Sequence, residues 1–400
     1  MRTASGAAWK EGNIDFTGTL MVFTLKLVAT ALDFSDGAKP VGDGHPPLTP
    51  HQQACRLARL PSVLEFLAYL FFPCTLLAGP WMPLADYLAY AKHTGVRHHH
   101  ARMRTFALTI RSPIAQVWAT PRPSGVLPAL QRCAVGLVCA GIHAVFSPMV
   151  PETAFLDAAW LAAHPGRGPR LLYMWAMAFT ARCKYYFAWT WAHAACITSG
   201  LSWGGYDVET KRPDWSRASN IDILGVEFAT SAAALPITWN TRTGLWLRHY
   251  SYERLAPPHR GRAPFWALLA TQAVSGVWHG VQPGYALFFV SSSFMFHASK
   301  VLFRAQRSLK GTALTVSTLL HGLLTSMHLS YTAAVFIAIT MPAGWAAWKA
   351  VSFVGHASMF SICLLGALMP PARAPKPKTA VPEANGRVTP PAQRGAKKLA

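Results

Sequence analysis

Long apolar runs separated by basic connectors are the feature that most constrains how this chain can fold. Of its 400 residues, 52% are hydrophobic and only 13% are charged, whereas a soluble domain carries about 25% charged residues. The polar residues collect between the apolar runs instead of being spread evenly. Because backbone groups inside a bilayer must satisfy one another, such runs fold as helices. The pattern predicts an all-α, polytopic transmembrane bundle.

Proline and glycine divide the predicted helices. Residues 62–88 hold Pro73, Pro80 and Pro83, which predict a helix, an irregular stretch at membrane depth and a short helix. Pro236 is expected to end a span or half-span over 220–237, and Pro283 to divide 265–304 into two helices. The amphipathic spacing over 241–255 predicts an interfacial helix. The remaining predicted spans are 17–32, 126–150, 171–201, 312–341 and 343–369, the last two separated at Pro342.

The excess of basic residues lies in the connectors and the C-terminal tail. The net charge is +21, and no RNP, zinc-finger or basic-zipper pattern accompanies it, so nucleic acid is not an expected partner. Cations beside apolar spans fit the positive-inside bias and contact with anionic membrane lipids. Residues 370–400, rich in Pro, Ala, Lys and Arg, predict a disordered cytosolic tail after a membrane domain over 1–369.

The chain ends in Lys397-Lys398-Leu399-Ala400, which has the shape of a dilysine retrieval signal. At the cytosolic C-terminus of a multi-pass protein, such a signal predicts residence in the membrane of the endoplasmic reticulum.

Cysteine and histidine patterns do not indicate a metal site. The seven cysteines form no CxxC pair and lie mostly in apolar runs, so they are expected to be small buried residues without a disulfide framework. Consecutive histidines over 98–100 point in different directions on a helix or strand. A solvated basic loop over 92–122 is favoured there, and no metal or cofactor is expected.

Two polar side chains stand out in apolar sequence. His279 lies in an uncharged run over 265–289, and Asn240 follows Trp239 where an apolar run ends. A polar group in such a segment must be satisfied by partners or used in function. A helix-packing histidine and a functional one both remain open on these grounds.

Arg182 and Lys184 lie inside an aromatic run and pose a similar choice. They can snorkel or pair with an acid such as Glu227, or they can face a substrate phosphate. Both interpretations stay open from the sequence.

Short motifs follow one another along the second half of the chain: NIDILG at 220–225, WN at 239–240, WLR at 246–248, YER at 252–254, WHG at 278–280 and PGY at 283–285. Others precede them at 15–18, 61–66, 78–80 and 180–187. Together they resemble the membrane-bound O-acyltransferase (MBOAT) family. Within it, the chain is most similar to lysophospholipid acyltransferases of the plant and algal lysophosphatidylcholine type. The resemblance extends to about residue 369.

The resemblance implies a fold in which many transmembrane helices, some broken and some interfacial, surround a catalytic tunnel. It implies transfer of an acyl chain from acyl-CoA, as co-substrate, to the free hydroxyl of a lysophospholipid in phospholipid remodelling. The family's histidine falls on His279 and its asparagine on Asn240. A base with a pKa near 6.5 suits the removal of the alcohol proton, and an amide suits substrate positioning or oxyanion stabilisation. The substrate-binding candidates are Arg182, Lys184, Trp246, Arg248, Arg254 and Trp278.

Two departures from the family pattern matter for this expectation. Members usually begin with further hydrophobic helices ahead of the segment matching 15–18, so a short form or a fragment is predicted. Residues 202–207 also differ from the asparagine- or serine-bearing versions of that segment.

Other functions stay open beside this one. An MBOAT enzyme could instead acylate diacylglycerol, a sterol or a protein, although the lysophospholipid-type segments argue against it. A secondary transporter shares the hydropathy and the broken helices, but no convincing internal repeat supports it. The headgroup and acyl-chain preferences are not predicted, and a homodimer remains open.

Overall fold

A computed structural model describes residues 16–39, 47–95, 122–207, 209–256 and 264–369. The predicted tail over 370–400 and most of the predicted basic loop over 92–122 lie outside these ranges, but residues 92–95 of that loop are helical instead. The α-helices are α1 Thr17–Gly37, α2 Pro50–Cys55, α3 Val63–Leu70, α4 Pro73–Leu76, α5 Leu84–Gly95, α6 Val126–Phe146, α7 Ala158–Ala163, α8 Arg167–Thr198, α9 Ile223–Glu227, α10 Leu235–Thr238, α11 Thr241–Leu247, α12 Glu253–Leu255, α13 Phe265–His279, α14 Pro283–Gln306, α15 Gly311–Ala338, α16 Met341–Ala350 and α17 Val354–Leu368.

Short elements complete the described chain. Turns of 3-10 helix cover Ser147–Met149, Glu152–Leu156 and Ala232–Ala234, and a π-helical turn, Arg248–Tyr252, joins α11 to α12. Strands β1 (Gly205–Tyr206) and β2 (Pro213–Asp214) pair antiparallel, with Gly205 opposite Asp214.

The main core forms around α8. This helix packs against α6 and α15, and α14 packs against α13, α15 and α17. Met174, Tyr186 and Trp348 are among the buried side chains of this core. A second cluster, which includes Tyr69, Leu84 and Trp203, packs α3 and α5 beside the residues that follow α8. The described chain is therefore helical apart from one two-residue hairpin pairing and an isolated bridge.

Three helical segments of the described chain are long and apolar enough to cross a membrane: Thr17–Gly37, Val126–Leu156 and Pro283–Gln306. The pair α16 and α17, bent by 74°, would add a fourth if it crosses as one span. Only 11% of the most apolar window of the second segment is buried, and Leu127, Leu137 and Val138 are exposed on α6. An apolar helix with such an exposed face suits contact with lipid. The prediction of an all-α polytopic membrane protein is confirmed.

The predicted break in 62–88 is present, and a buried lysine stabilises it. Pro73 lacks the N–H that would otherwise bond to the Tyr69 carbonyl in a continuous helix. Lys26 of α1, 0% exposed, donates instead to the Tyr69 carbonyl at 2.7 Å and to the Leu70 carbonyl at 3.1 Å. Its Nζ also lies 3.0 Å from Thr75 Oγ1. The cation in this apolar run thus satisfies backbone groups that the break exposes.

The predicted span or half-span over 220–237 is wrong, and the predicted span over 343–369 is bent by 74°. Residues 220–237 form no single helix: they contain a short extended segment, α9, the 3-10 turn at Ala232–Ala234 and the start of α10. Residues 343–369 are divided between α16 and α17, because Ser352 and Phe353 adopt left-handed backbone angles of φ 53° and 52°. The first change matters for function, since this segment holds Asn220 and leads into Asn240.

Candidate active site

Asn240 is held by a short antiparallel pairing between residues 219–222 and 238–242. Ile221 pairs with Trp239, and the Asp222 N–H donates to the Thr238 carbonyl at 2.8 Å. The Thr241 N–H donates to the Asn220 carbonyl at 3.0 Å. Such pairing satisfies the backbone of two segments that would otherwise be irregular within a helical protein.

The side chain of Asn220 completes this pairing. It is 3% exposed; its Nδ2 donates to Asn240 Oδ1 at 3.0 Å, and its Oδ1 accepts from the Arg242 N–H at 2.9 Å. Oδ1 of Asn240 is thus engaged as an acceptor, and the Nδ2 group of the same amide is a hydrogen-bond donor.

The backbone of Asn240 itself is unusual. Its φ of 45° and ψ of 50° lie in the left-handed region, which costs most residues about 1–2 kcal/mol but which Asn tolerates. The position therefore suits Asn for a conformational reason as well as a chemical one, and α11 begins directly after it.

His279 is the last residue of α13. Gly280 follows it with φ 133°, a left-handed backbone angle that favours glycine, and its N–H donates to the Gly276 carbonyl at 3.1 Å. Pro283 then starts α14, where its missing N–H costs nothing. The sequence Trp-His-Gly thus places the imidazole at a helix end, beside a tight turn.

Aromatic rings surround the imidazole of His279. Ring centroids lie 4.8 Å away for Trp278, 5.7 Å for Tyr285, 5.1 Å for Phe289 and 5.1 Å for Phe336. The Phe289 ring is nearly parallel to the imidazole, at 29°. These contacts restrict the orientation of the ring and line its surroundings with apolar surface, and the half-buried imidazole suits proton transfer from an alcohol.

The two indoles among the predicted site residues bind backbone carbonyls of α1. Trp246 Nε1 donates to the Leu25 carbonyl at 3.0 Å, and Trp278 Nε1 donates to the Met21 carbonyl at 2.9 Å. The segments that carry Asn240 and His279 are therefore both attached to the same helix.

Arg182 takes the pairing alternative. Its Nε and Nη2 donate to Glu227 Oε1 and Oε2, each at 2.8 Å, and the Tyr186 hydroxyl donates to Glu227 Oε1 at 2.5 Å. This buried bidentate pair connects α8 to α9 and satisfies the charge that the sequence left unexplained. The geometry favours a packing role over a phosphate site.

Arg254 is also paired. Its guanidinium donates to the two carboxylate oxygens of Asp36 on α1, at 3.2 and 2.6 Å, and lies 5.5 Å from the Tyr250 ring centroid. A buried carboxylate, which Lys39 also contacts, therefore already binds this guanidinium, so Arg254 is a weaker phosphate candidate than the sequence suggested.

Lys184 and Arg248 are the more exposed of the four cations. Lys184 is exposed, with Nζ 5.5 Å from the Tyr185 ring centroid. The Arg248 side chain is 64% exposed and donates through Nε to Glu253 at 2.7 Å. Burial raises the pKa of Glu253, but hydrogen bonds from His249 and Arg248 outweigh it and hold that pKa below its usual value. Arg248 thus keeps exposed donors that a phosphate could reach.

Sequence reasoning missed several residues that build this site. Asn220 was noticed only as part of a motif, although its side-chain amide is the group that contacts Asn240. Phe336, on α15, and Met21, on α1, reach the His279 segment through contacts between distant parts of the chain. No local pattern could have identified either residue.

Comparison with known proteins agrees with the resemblance. The model of the membrane-bound O-acyltransferase family matches residues 1–336. Lysophospholipid acyltransferase 2 of Arabidopsis thaliana is 35% identical over 380 residues, covering 94% of this chain and 76% of the relative. Lysophospholipid acyltransferase 1 of the same plant is 34% identical over 381 residues, covering 94% and 77%. Membrane-bound glycerophospholipid O-acyltransferase 1 of Mus musculus is 29% identical over 368 residues, covering 91% and 70%. The chain belongs to the membrane-bound O-acyltransferase family.

Proposed function

We propose that this protein is a lysophospholipid acyltransferase that moves an acyl chain from acyl-CoA to the free hydroxyl of a lysophospholipid, with lysophosphatidylcholine and related lipids as acceptors. The observation that carries the proposal is the match, over 94% of the chain, to two relatives named lysophospholipid acyltransferase. The half-buried imidazole of His279 among aromatic rings supports the chemistry, because an alcohol needs a base to become a nucleophile at neutral pH.

The reaction needs two proton transfers, one to the imidazole of His279 and one from it. The neutral imidazole of His279 takes the hydroxyl proton as the alcohol oxygen attacks the thioester carbonyl. The Nδ2 group of Asn240 donates to the developing oxyanion, an interaction worth roughly 3 kcal/mol in comparable sites. As the C–S bond breaks, the CoA sulfur takes the proton from the imidazolium, and the products are the phospholipid ester and CoA thiol.

The CoA phosphates require cations outside the apolar site. Lys184 and Arg248 are the preferred candidates, since both are exposed and Arg248 keeps donors that Glu253 does not occupy. Arg182 and Arg254 are assigned to packing because carboxylates already pair with them. Apolar walls around His279 would limit hydrolysis of the thioester by water.

The test is acyl transfer measured with purified protein in lipid, using labelled acyl-CoA donors against lysophospholipids of different headgroups, diacylglycerol and sterol. We expect a labelled phospholipid product that depends on both substrates and is greatest with a lysophospholipid. Product on diacylglycerol or sterol alone would favour the alternative acceptors. Flux of a solute without any acylated product would favour a transporter and contradict the proposal.

We further propose residence in the endoplasmic reticulum with a cytosolic C-terminus. The basic tail and its ending Lys397-Lys398-Leu399-Ala400 support this. Changing Lys397 and Lys398 to Ser should release part of the protein to later compartments, measured by fractionation. An unchanged distribution would contradict the retrieval role, and a tag at Ala400 protected from protease in sealed microsomes would contradict the orientation.

A further inference from the structure

Helix α1 contacts both segments of the candidate active site although it lies far from them in sequence. The carbonyls of Met21 and Leu25 accept from Trp278 and Trp246, which follow 257 and 221 residues later. Met21 and Leu25 are four positions apart, so their carbonyls lie on one face of α1, about 6 Å from each other along the helix axis. Adjacent turns of a single helix thus receive the two indoles.

The two indoles attach the parts of the chain that carry the chemistry. Trp278 precedes His279 at the end of α13, and Trp246 lies in α11, the helix that begins directly after Asn240. Indole is a rigid side chain with a single donor, so a bond from it to a fixed carbonyl restrains the position of its own helix. Both segments are therefore attached to adjacent turns of α1 through these two hydrogen bonds.

Further hydrogen bonds attach the stretch that follows Asn240 to α1. The Tyr250 hydroxyl donates to Asp33 at 2.8 and 3.0 Å, and Arg254 donates to Asp36. The rings of Trp246 and Tyr250 stack with centroids 5.6 Å apart. The stretch from α11 to α12 is thus attached to α1 over more than two helical turns.

Helix α1 is itself locked in rotation. Lys26, next to Leu25, is 0% exposed and is bonded to the broken segment between α3 and α4. Turning α1 about its axis would remove the Lys26 Nζ group from these carbonyls and leave a buried polar group without hydrogen-bond partners. The helix therefore presents the Met21 and Leu25 carbonyls in one orientation only.

We propose that α1 is the positioning element of the catalytic pair, with Trp246 and Trp278 as positioning residues whose indole hydrogen bonds set the geometry between Asn240 and His279. The inference rests on the proposed function for its catalytic readout. It replaces the substrate-binding role predicted for both tryptophans. Their N–H groups are already engaged, and Trp246 is only 6% exposed, which leaves little ring surface for a ligand.

The test replaces each indole with phenyl in the full chain. Trp246→Phe and Trp278→Phe keep an aromatic ring but lose the donor. Trp348→Phe is the matched control, because Trp348, buried on α16, likewise donates through Nε1 to a backbone carbonyl, that of Tyr331, at 3.0 Å. Each variant is assayed at equal amounts of folded protein, so that a general loss of stability does not enter the rate.

We expect kcat to fall by on the order of tenfold to a hundredfold in Trp246→Phe and Trp278→Phe, with KM for both substrates unchanged, because small displacements of reacting groups have large effects on rate. Trp348→Phe should keep its kcat within about twofold of wild type on the same reasoning. A rise in KM at constant kcat would restore the substrate-binding role. Equal losses of kcat in all three variants would show a general structural effect. Either result overturns the proposal.

Hydrogen exchange separates this inference from the proposed function. If the wild-type protein transfers no acyl chain, the function fails but the positioning can still be measured. Faster amide exchange over 238–248 in Trp246→Phe and over 276–280 in Trp278→Phe, relative to Trp348→Phe, would support α1 as the positioning element. Exchange equal to that control over both segments would overturn it.

Discussion

Replacing His279 with Ala is expected to lower the rate of acyl transfer by on the order of 10²–10⁴-fold, the usual contribution of a positioned base. The substitution removes the proton acceptor and leaves the surrounding aromatic rings in place. Because the imidazole is only half-buried, its loss opens a modest cavity, and the amount of folded protein should change little. Initial rates with labelled acyl-CoA, at matched amounts of folded protein, measure the effect.

The pH dependence of the wild-type rate should show an acidic limb. Only the neutral imidazole can take the alcohol proton, so activity is full above the pKa of His279 in the complex and is lost as the pH falls through it. This limb should be absent from the residual activity of His279→Ala. It should survive in Asn240 variants, since an amide does not titrate over this range.

Asn240 requires a variant that respects its backbone. Ala would add strain at φ 45° to the loss of the amide, and the two effects could not be separated. Gly tolerates that backbone angle, so Asn240→Gly removes the amide, together with its contact to Asn220, without adding backbone strain. A loss of roughly 10²–10³-fold in kcat is expected if the amide stabilises the oxyanion. Normal activity in Asn240→Gly together with a low level of folded Asn240→Ala would show a purely conformational role.

His143 supplies a matched histidine control. It lies in α6, and its Nδ1 is 2.9 Å from the Thr180 carbonyl, so its polar group has a packing partner. His143→Ala should keep transfer within a few-fold of wild type. Further controls are His193, His297, His321 and His356, which also lie on helices of the described chain. The assignment of His279 is wrong if its Ala variant stays active or if a control proves equally essential.

Helix boundaries that are marked by a proline were predicted well from the sequence. Pro283 marks the boundary between α13 and α14, and Pro73 marks the break after α3. Both were predictable because the missing N–H of proline removes a hydrogen bond to a residue four positions earlier. The segment over 220–237 was misjudged because its apolar composition resembles a span. Its structure instead depends on pairing with residues near Asn240, and that pairing has no local signal. The bend before α17 rests on left-handed angles at Ser352 and Phe353, where neither residue type predicts it.

The site was predictable only in part for a similar reason. Motifs drew attention to His279 and Asn240, but they are silent on which side chains hold these residues. Asn220 reaches Asn240 across a chain reversal, and Met21 reaches Trp278 across most of the sequence. Contacts of this kind follow from the packing of helices, which hydropathy does not determine.

The Arg182–Glu227 pair is expected to have the largest effect on stability among the residues considered. Arg182 is 7% exposed, and Glu227 accepts both of its hydrogen bonds. Glu227→Leu would leave an uncompensated cation inside the bundle, a change that typically costs about 3–5 kcal/mol. Arg182→Met should be similarly harmful, since it leaves the carboxylate with only Tyr186 as donor. Thermal unfolding in detergent measures both variants.

The double variant separates the effect of breaking the ion pair from the effect of changing side-chain size. Arg182→Met combined with Glu227→Leu removes both charges, and apolar replacements of a buried pair are often close to neutral. It should therefore recover most of the stability that either single change loses. Lys184→Met, which removes an exposed cation from the same helix, should change the free energy of unfolding by less than about 1 kcal/mol. Additive losses in the double variant would contradict a coupled pair.

The same variants decide between packing and phosphate binding at Arg182. If the guanidinium held a CoA phosphate, Glu227→Gln would release it from its carboxylate and lower the KM for acyl-CoA. A packing pair predicts instead that Glu227→Gln lowers the unfolding temperature while KM at matched folded protein stays constant. Arg248→Gln offers the contrast, because its cation is largely exposed and its loss should raise the KM for acyl-CoA without a change in unfolding. A cation that is paired with a buried carboxylate attracts a substrate phosphate only weakly, because its charge is already compensated. An exposed guanidinium with unused donors attracts the phosphate more strongly.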